Sequence, residues 1–296
     1  RREARPIASM LSADLTDIVV QGTAMYVLDG ANSQVYRINL TADGLFAARE
    51  PEPIADMRRG GRAAGSIPIN GDIIGVTYND FRNVFVAIST DGVLIECRPD
   101  FSTFCEASRL FGTEFWGSPT EIEVWDNTIY LLDPTANQIW RYRPSGTAAD
   151  AYLNAPEEYF GGVASIPQLA TATDFTIDDQ GNIYVLLQEG VVLKYRGGVS
   201  EPFSYNGFVT GQDISSGTSM FVDTRVTELG LYIVQADRGA VYEMSYVGVY
   251  RDQFRAAEPD DFAALEKVAA APSGDGQRDM IYALSGNTVF AIEKRG

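Results

Sequence analysis

The sequence predicts an all-β fold, a six-bladed β-propeller, and three observations support this prediction. Six segments share one pattern: an apolar strand, a turn, a strand centred on an aromatic residue, a second turn and an alternating third strand. The aromatic anchors recur every 45 to 59 residues, a period that suits one four-stranded blade. Helical periodicity is almost absent, apart from a turn expected at 260–267. We therefore expect one propeller domain.

Six predicted blades follow one another along the whole chain. Their second strands are anchored by Tyr26, Phe85, Tyr130, Tyr184, Tyr232 and Tyr282. The blades are expected at 11–50, 72–107, 120–153, 174–205, 219–254 and 265–296. Runs such as 184–187 are almost continuously apolar, as expected when neighbouring blades cover both faces of a sheet. Gly, Asn or Asp stands in the turns where short hairpins require a positive φ.

A more polar outer strand completes each of the first five blades. These strands are expected at 45–49, 103–107, 149–153, 201–205 and 249–254. The sixth segment ends without one, whereas residues 5–10 are extended, apolar and otherwise unassigned. We therefore expect residues 5–10 to form the outer strand of the last blade, because strands from both ends of the chain would then close the ring and cover its apolar seam.

Composition excludes several classes of function. The chain has 296 residues, 45% of them hydrophobic, with 23 Lys and Arg against 40 Asp and Glu and a formal net charge of −17. This charge repels nucleic acid and anionic lipid, so we expect neither as a partner. The sequence contains no histidine, which excludes Ser-His-Asp and Cys-His catalysis and histidine metal ligands. The enzyme chemistry that remains is carboxylate chemistry or an oxygen-ligated Ca²⁺ or Mg²⁺ site.

No apolar run approaches the roughly 20 residues needed to cross a bilayer. The sequence begins with Arg1 rather than Met, so we expect it to be part of a longer protein. Any membrane attachment is expected through a tether outside this chain.

Two pairs of motifs carry a family resemblance. Residues 27–29 and 131–133 each read apolar, apolar, Asp, and each is followed by a polar turn and an Arg-ended strand, Val35-Tyr36-Arg37 and Ile139-Trp140-Arg141. This pattern resembles the blade signature of NHL-type propellers. The order of segments 57–60, 137–142, 158–160, 184–187, 193–198 and 281–287 is similar to the propeller that follows a membrane helix in PPM-type phosphatase proteins of filamentous green bacteria (Chloroflexi).

The resemblance covers essentially the whole chain and implies a bacterial, extracytoplasmic module that senses a ligand or binds a protein. It places no catalytic residue on this sequence, and no phosphatase motif lies within it. The alternatives are a divalent-cation-dependent hydrolase or lyase with a carboxylate site in the central channel, and a subunit of a cell-surface assembly. We expect a binding protein rather than an enzyme, with a protein or a small anionic ligand as its partner.

Two loops contain the candidate ligand-binding residues. Arg58, Arg59 and Arg62 form the densest cationic cluster, in a loop whose glycines would let backbone amides approach an anion. The alternative is a solvated loop paired with nearby carboxylates. Phe115 and Trp116 could stack on a flat ligand or cap the core between blades.

Carboxylates recur in the turns, at Asp29, Asp91, Asp133 and Asp237. Without a dense Asp-rich run, they are expected to cap their own turns, and Ca²⁺ is the one cofactor that they leave open. No metal ligand is assigned.

Cys97 and Cys105 stand at the end of a third strand and in the following outer strand. In an antiparallel hairpin they would face each other at a distance suited to a disulfide, which would favour an oxidising compartment. Two reduced, half-buried thiols are the alternative.

Overall fold

The computed structural model describes residues 4–10, 14–49, 52–56, 67–98, 105–146, 152–162, 168–209, 213–224 and 230–294. Within these residues the strands form six antiparallel sheets, five with four strands and one with five. The inner three strands of every sheet are consecutive in sequence, as in the blades of a propeller. The predicted all-β, six-bladed propeller is therefore confirmed.

The first strand, β1 (Arg5–Ser9), belongs to the last sheet, and the other strands follow in chain order. Blade 1 contains β2 (Leu15–Gln21), β3 (Ala24–Asp29), β4 (Gln34–Leu40) and β5 (Phe46–Arg49), and the short β6 (Ala55–Asp56) pairs with the start of β4. Blade 2 contains β7 (Ile73–Asn79), β8 (Val84–Ser89), β9 (Val93–Cys97) and β10 (Cys105–Arg109). Blade 3 contains β11 (Glu121–Trp125), β12 (Thr128–Asp133), β13 (Gln138–Tyr142) and β14 (Glu157–Glu158).

Blade 4 contains β15 (Ala172–Ile177), β16 (Asn182–Leu187), β17 (Val192–Arg196) and β18 (Val199–Glu201). Blade 5 contains β19 (Ser219–Asp223), β20 (Gly230–Gln235), β21 (Ala240–Met244) and β22 (Tyr250–Phe254). Blade 6 contains β23 (Leu265–Pro272), β24 (Asp279–Ser285) and β25 (Thr288–Lys294), completed by β1. The described helical segments are 3₁₀ turns at Thr113–Phe115, Ala236–Arg238 and Pro259–Phe262, none of which is long enough to span a membrane.

Both ends of the chain close the ring, as predicted. Strand β1 pairs antiparallel with β25, with Arg5 opposite Ala291 and Ser9 opposite Thr288. The Met10 amide continues the pairing by donating to the Asn287 carbonyl at 3.0 Å. The side chains of β1 are mostly exposed, but Met10 is buried between the last and first blades. Backbone pairing and this one anchor therefore hold the closing strand.

Three outer strands differ from the predicted positions. In blade 2 the strand extends to Arg109, two residues beyond the predicted end, and the predicted start at 103–104 lies outside the described residues. The strand paired with β13 is β14, at Glu157–Glu158, whereas the pattern predicted 149–153. Tyr152 instead lies in the core between blades 2 and 3, and its hydroxyl donates to the Asn127 carbonyl at 2.9 Å. In blade 4 the outer strand begins at Val199 rather than at 201, because Gly197 and Gly198 both have positive φ and form a two-residue hairpin turn.

The hydrophobic core lies between the blades rather than inside any one of them. Each second strand presents an almost fully buried large side chain to its neighbour, and Tyr26 of blade 1 packs against Phe85 of blade 2 with ring centroids 5.4 Å apart. Because both faces of these sheets are covered, the second strands β3 and β8 are buried at every position. This packing leaves the polar residues of the innermost strands to line the central channel.

Candidate functional site

Six equivalent positions on the innermost strands surround the central channel. They are equivalent because each pairs with the corresponding residue of the second strand in its own blade. Asp17 pairs with Leu28 in blade 1, for example, and Lys267 pairs with Leu284 in blade 6. We call this set the channel ring, and its members are Asp17, Gly75, Glu121, Asp174, Ser219 and Lys267. A cavity of about 180 Å³ is lined by the five ring residues that have side chains. Four charged groups therefore line one small cavity.

The backbone turns these residues toward the channel by a repeated irregularity. A β-bulge immediately precedes the ring position in four inner strands, those of blades 1, 2, 4 and 6. Bulges redirect side chains and increase the local twist. Gly75 keeps the ring open at blade 2, since a Cβ there would lie 3.3 Å from Asp17 Oδ2 and 3.0 Å from Ile122 Cγ2.

Two ring carboxylates join one blade to the next. Asp17 accepts a hydrogen bond from the amide of Ile18 at 2.9 Å and one from the amide of Val76 in blade 2, also at 2.9 Å. Asp174 repeats this arrangement, accepting from its own neighbour at 2.8 Å and from Met220 of blade 5 at 2.9 Å. These carboxylates satisfy inner-strand amides that have no partner strand across the channel.

Lys267 neutralises the opposite side of the ring. Its Nζ donates to Glu121 Oε1 at 2.6 Å and lies 3.5 Å from Asp174 Oδ2, so one ammonium connects blades 6, 3 and 4. Burial opposes the charge of Lys267, but the carboxylates of Asp174, Glu121 and Asp17 outweigh it and raise the pKa of Lys267 well above its ordinary value. The ammonium therefore stays charged. It is one cation among three carboxylates, and burial raises the pKa of Glu121 well above its ordinary value and also raises that of Asp17.

Glu123 is a carboxyl group of the channel whose pKa is strongly raised. It lies two residues beyond Glu121 on β11, accepts a hydrogen bond from Thr77 Oγ1 at 3.3 Å, and forms no ion pair among the described residues. Burial, reinforced by the negative charge of Asp174, raises the pKa of Glu123 to about 8. The group is therefore protonated near neutral pH. No set of three or more Asp, Glu or Cys with metal-binding geometry occurs in the part of the chain that the structure describes.

The carboxylates singled out from the sequence lie in turns and stabilise them. Asp133 accepts hydrogen bonds from the amides of Gly117 and Ser118 at 2.7 and 2.9 Å and from Trp140 Nε1 at 3.0 Å. Asp29 accepts from the backbone amide and the side-chain amide of Asn32. Asp91 and Asp237 each accept a hydrogen bond from a serine hydroxyl. These groups tie turns and loops together, and none of them reaches the channel ring.

The other predicted site residues fall into two groups. Trp116 packs edge-on against Tyr142, with ring centroids 6.2 Å apart, and contributes to the core between blades 2 and 3, while the preceding Phe115 is 56% exposed. Trp116 therefore packs in the core between blades and Phe115 lies at the surface, and a ligand-binding role for either residue stays a prediction. Arg58, Arg59 and Arg62 lie outside the described residues, so their ligand-binding role stays a prediction.

Cys97 and Cys105 form a disulfide that links the end of β9 to the start of β10, with their Cα atoms 4.1 Å apart. The predicted pairing is confirmed. A disulfide between two strands of a stable domain indicates a non-reducing environment.

Comparisons with known proteins support the fold and nothing finer. No family model matches the chain, and no curated protein does. Among solved structures, the WD40 β-propeller domain of Doa1 is similar with a TM-score of 0.59 and 11% identity, covering 100% of this chain and 98% of that one. Virginiamycin B lyase from Staphylococcus aureus has a TM-score of 0.55, 11% identity and coverage of 100% and 99%.

A third similar structure, a nidogen and laminin complex, has a TM-score of 0.56 at 12% identity and covers 86% of this chain and 84% of that one. Such identities show the propeller fold alone. The resemblance to NHL-type repeats and to phosphatase-linked propellers gains no support from these comparisons. The class that the fold defines is a six-bladed β-propeller.

Proposed function

We propose that this chain is a non-catalytic propeller that binds a protein or a small anionic ligand outside the cytoplasm. The single observation that carries the proposal is the channel ring, where the charged groups are already engaged with one another and with the backbone. Similar folds include a lyase and a protein complex, so the fold leaves both uses open and the site must decide.

The channel is poorly suited to hydrolysis or to lyase chemistry. A glycosidase needs two free carboxyl groups, one of them available as a base or nucleophile. Here Asp17 and Asp174 each accept two backbone hydrogen bonds, and Glu121 accepts from an ammonium at 2.6 Å. Glu123 is protonated and has no carboxylate partner that accepts its proton. The carboxylates therefore serve ring closure.

A divalent cation is disfavoured for the same reason. The Lys267 ammonium stands between Glu121 and Asp174, where a bound cation would need to be, and its positive charge would repel Ca²⁺ or Mg²⁺. We therefore assign binding to the rim of the propeller. The location outside the cytoplasm rests on the disulfide.

Thermal unfolding with and without divalent cations tests the non-catalytic part of the proposal. A cation whose free concentration is about one hundred times its Kd would stabilise the fold by about 2.7 kcal/mol. We expect the same melting temperature in EDTA, in about 1 mM CaCl₂ and in about 1 mM MgCl₂. An upward shift of several degrees that disappears with EDTA would support the cation-dependent enzyme instead.

Labelling of intact cells tests the location. A membrane-impermeant amine reagent applied to the source organism should modify this protein to the same extent as a known surface protein. Labelling that appears only after the cells are lysed would contradict a location outside the cytoplasm, while leaving the propeller's binding role to be judged separately.

A further inference from the structure

A second cavity lies at the rim between blades 5 and 6. It is formed by the 3₁₀ turn Ala236–Arg238, the end of β22 and the segment that leads to β23, and its volume is about 600 Å³. We call it the rim cleft. Its size falls within the range of small-molecule sites, which is about 300 to 1,000 Å³.

The guanidinium of Arg255 is held rigidly in this cleft by neutral acceptors. Its Nη1 donates to the Arg238 carbonyl at 3.0 Å. The side-chain oxygen of Gln253, in the amide orientation that its neighbours require, accepts from Arg255 Nη2 at 2.9 Å and Nε at 3.2 Å, and from the Tyr242 hydroxyl at 3.0 Å. An arginine carries five N–H donors, so two of them remain without an acceptor among the described residues.

Arg255 forms no ion pair within the described part of a chain whose net charge is −17. The other charged groups of the cleft are engaged. Arg238 pairs with Asp213 at 2.8 Å. Asp237 accepts from the Ser216 hydroxyl at 2.7 Å, and this bond lowers the pKa of Asp237, keeping it ionised. Arg255 is therefore an exposed, oriented cation that is available to an incoming anion.

The remaining wall of the cleft is small and apolar. Ala256, Ala257 and Pro259 line it, and Phe262 below them is fixed edge-on against Phe290 with ring centroids 5.5 Å apart. These side chains leave room for a short apolar group beside the guanidinium. Two parallel N–H donors match the two oxygens of a carboxylate. A doubly charged phosphate would be repelled more strongly than a carboxylate by Asp237 and Asp213.

We infer that the rim cleft binds a carboxylate carried on a short apolar group, with Arg255 as its bidentate partner. The inference deepens the proposed binding function by naming a site and a ligand chemistry. A free C-terminal residue of a peptide and a small carboxylic acid share this chemistry.

Titration calorimetry at low ionic strength tests the inference with N-acetyl-L-leucine and, as a neutral control, N-acetyl-L-leucinamide. We expect saturable millimolar binding of the acid, and binding of the amide weaker by about tenfold or more. Arg255→Gln should weaken binding of the acid by about tenfold or more, and Arg255→Lys by less, because the ammonium keeps the charge and loses the fork. The control is Arg143→Gln, which removes another exposed arginine, next to β13 of blade 3, and should leave binding unchanged.

Three outcomes would overturn the inference: no saturable binding of the acid, equal binding of acid and amide, or unchanged binding in Arg255→Gln. Inorganic phosphate binding more tightly than the acid would overturn the choice of carboxylate. A tetrapeptide with a free C-terminal leucine separates the two sources. Tighter binding than N-acetyl-L-leucine identifies a peptide C-terminus, and weaker or equal binding identifies a small acid. None of these results depends on divalent cations, so failure here and failure of the proposed non-catalytic function are distinguishable.

Discussion

The channel ring and the rim cleft each contain a basic side chain, and their surroundings differ completely. Lys267 is largely buried and lies among carboxylates at 2.6 and 3.5 Å, whereas Arg255 is exposed and is held by a carbonyl and an amide. In the ring the one cation is paired with two carboxylates, and these contacts join the blades. In the cleft the charge is oriented but uncompensated. The difference indicates that polar contacts at the centre of this propeller join its blades, and it is the reason why we propose recognition at the rim.

The largest expected effect follows from removing the ring cation. Lys267→Met should lower the free energy of unfolding by about 3 to 5 kcal/mol, because it leaves Glu121 and Asp174 buried without a compensating charge. Denaturant unfolding at pH 7 measures it. Arg143→Met, which breaks a surface ion pair with Glu157, should change stability by less than about 1 kcal/mol. A similar small effect in both variants would mean that the ring is not structural, and the comparison would fail.

Removal of residues 1–10 should have the next largest effect, a loss of about 2 to 4 kcal/mol. The deletion exposes the edge of β25 and removes the buried Met10. Ser9→Ala, at an exposed position of the same strand, should stay within about 0.5 kcal/mol. An unchanged melting temperature after the deletion would show that β1 is dispensable for closure and that the channel ring holds the blades without it.

Opening the disulfide should cost about 2 kcal/mol, the loss expected for a short closed loop. The bond joins β9 to the outer strand β10 and shares no partner with the ion pairs of Lys267 among the described residues, so its effect should be additive with that of Lys267→Met. Denaturant unfolding with and without reductant measures it. The double variant Cys97→Ser, Cys105→Ser should be insensitive to reductant. A combined loss of stability that differs clearly from the sum of the two separate losses would contradict the independence of the channel ring from the outer edge of the blades.

The closure of the fold could be predicted from sequence because it depends on local pattern. The last blade lacks an outer strand of its own, and the unassigned apolar segment 5–10 can supply it. The spacing of Cys97 and Cys105 fits two facing positions of a hairpin. The outer strands of blades 3 and 4 lie away from their predicted positions because other effects outweighed weak strand preferences. In blade 3 the side chain of Tyr152 packs into the core, and in blade 4 a two-glycine turn starts the strand earlier.

The channel ring could not be found by aligning the aromatic anchors. In blade 2 the residue equivalent to Tyr26 of blade 1 is Val86, because Val86 pairs with Thr77 as Tyr26 pairs with Val19. The aromatic anchor Phe85 therefore lies one residue before the equivalent position. A shift of one residue exchanges the two faces of a strand, and bulges in four inner strands alter the spacing further. An alignment of the inner strands by the residues they pair with on the second strands would have placed the six ring residues at one position. The rim cleft depends on Arg255 orientation, which no spacing encodes.

The smallest expected effect is a pH dependence that originates in the channel. The carboxyl of Glu123 keeps its proton in the folded protein up to about pH 8, whereas its ordinary pKa is 4.5. Folding therefore takes up a proton between these values, and the contribution of this group to the free energy of unfolding falls as the pH rises through that interval. Glu123→Gln resembles the protonated acid and does not titrate.

The Gln variant should match the parent near pH 5 and exceed its stability near pH 8, by an amount of the order of 1 kcal/mol because the cavity gives the side chain some contact with solvent. Denaturant unfolding at several pH values measures the difference. If the difference between the Gln variant and the parent stays constant, Glu123 is ionised in the channel. The centre of the propeller would then hold an uncompensated charge of its own, and a cationic ligand there would have to be weighed against an anionic ligand at the rim.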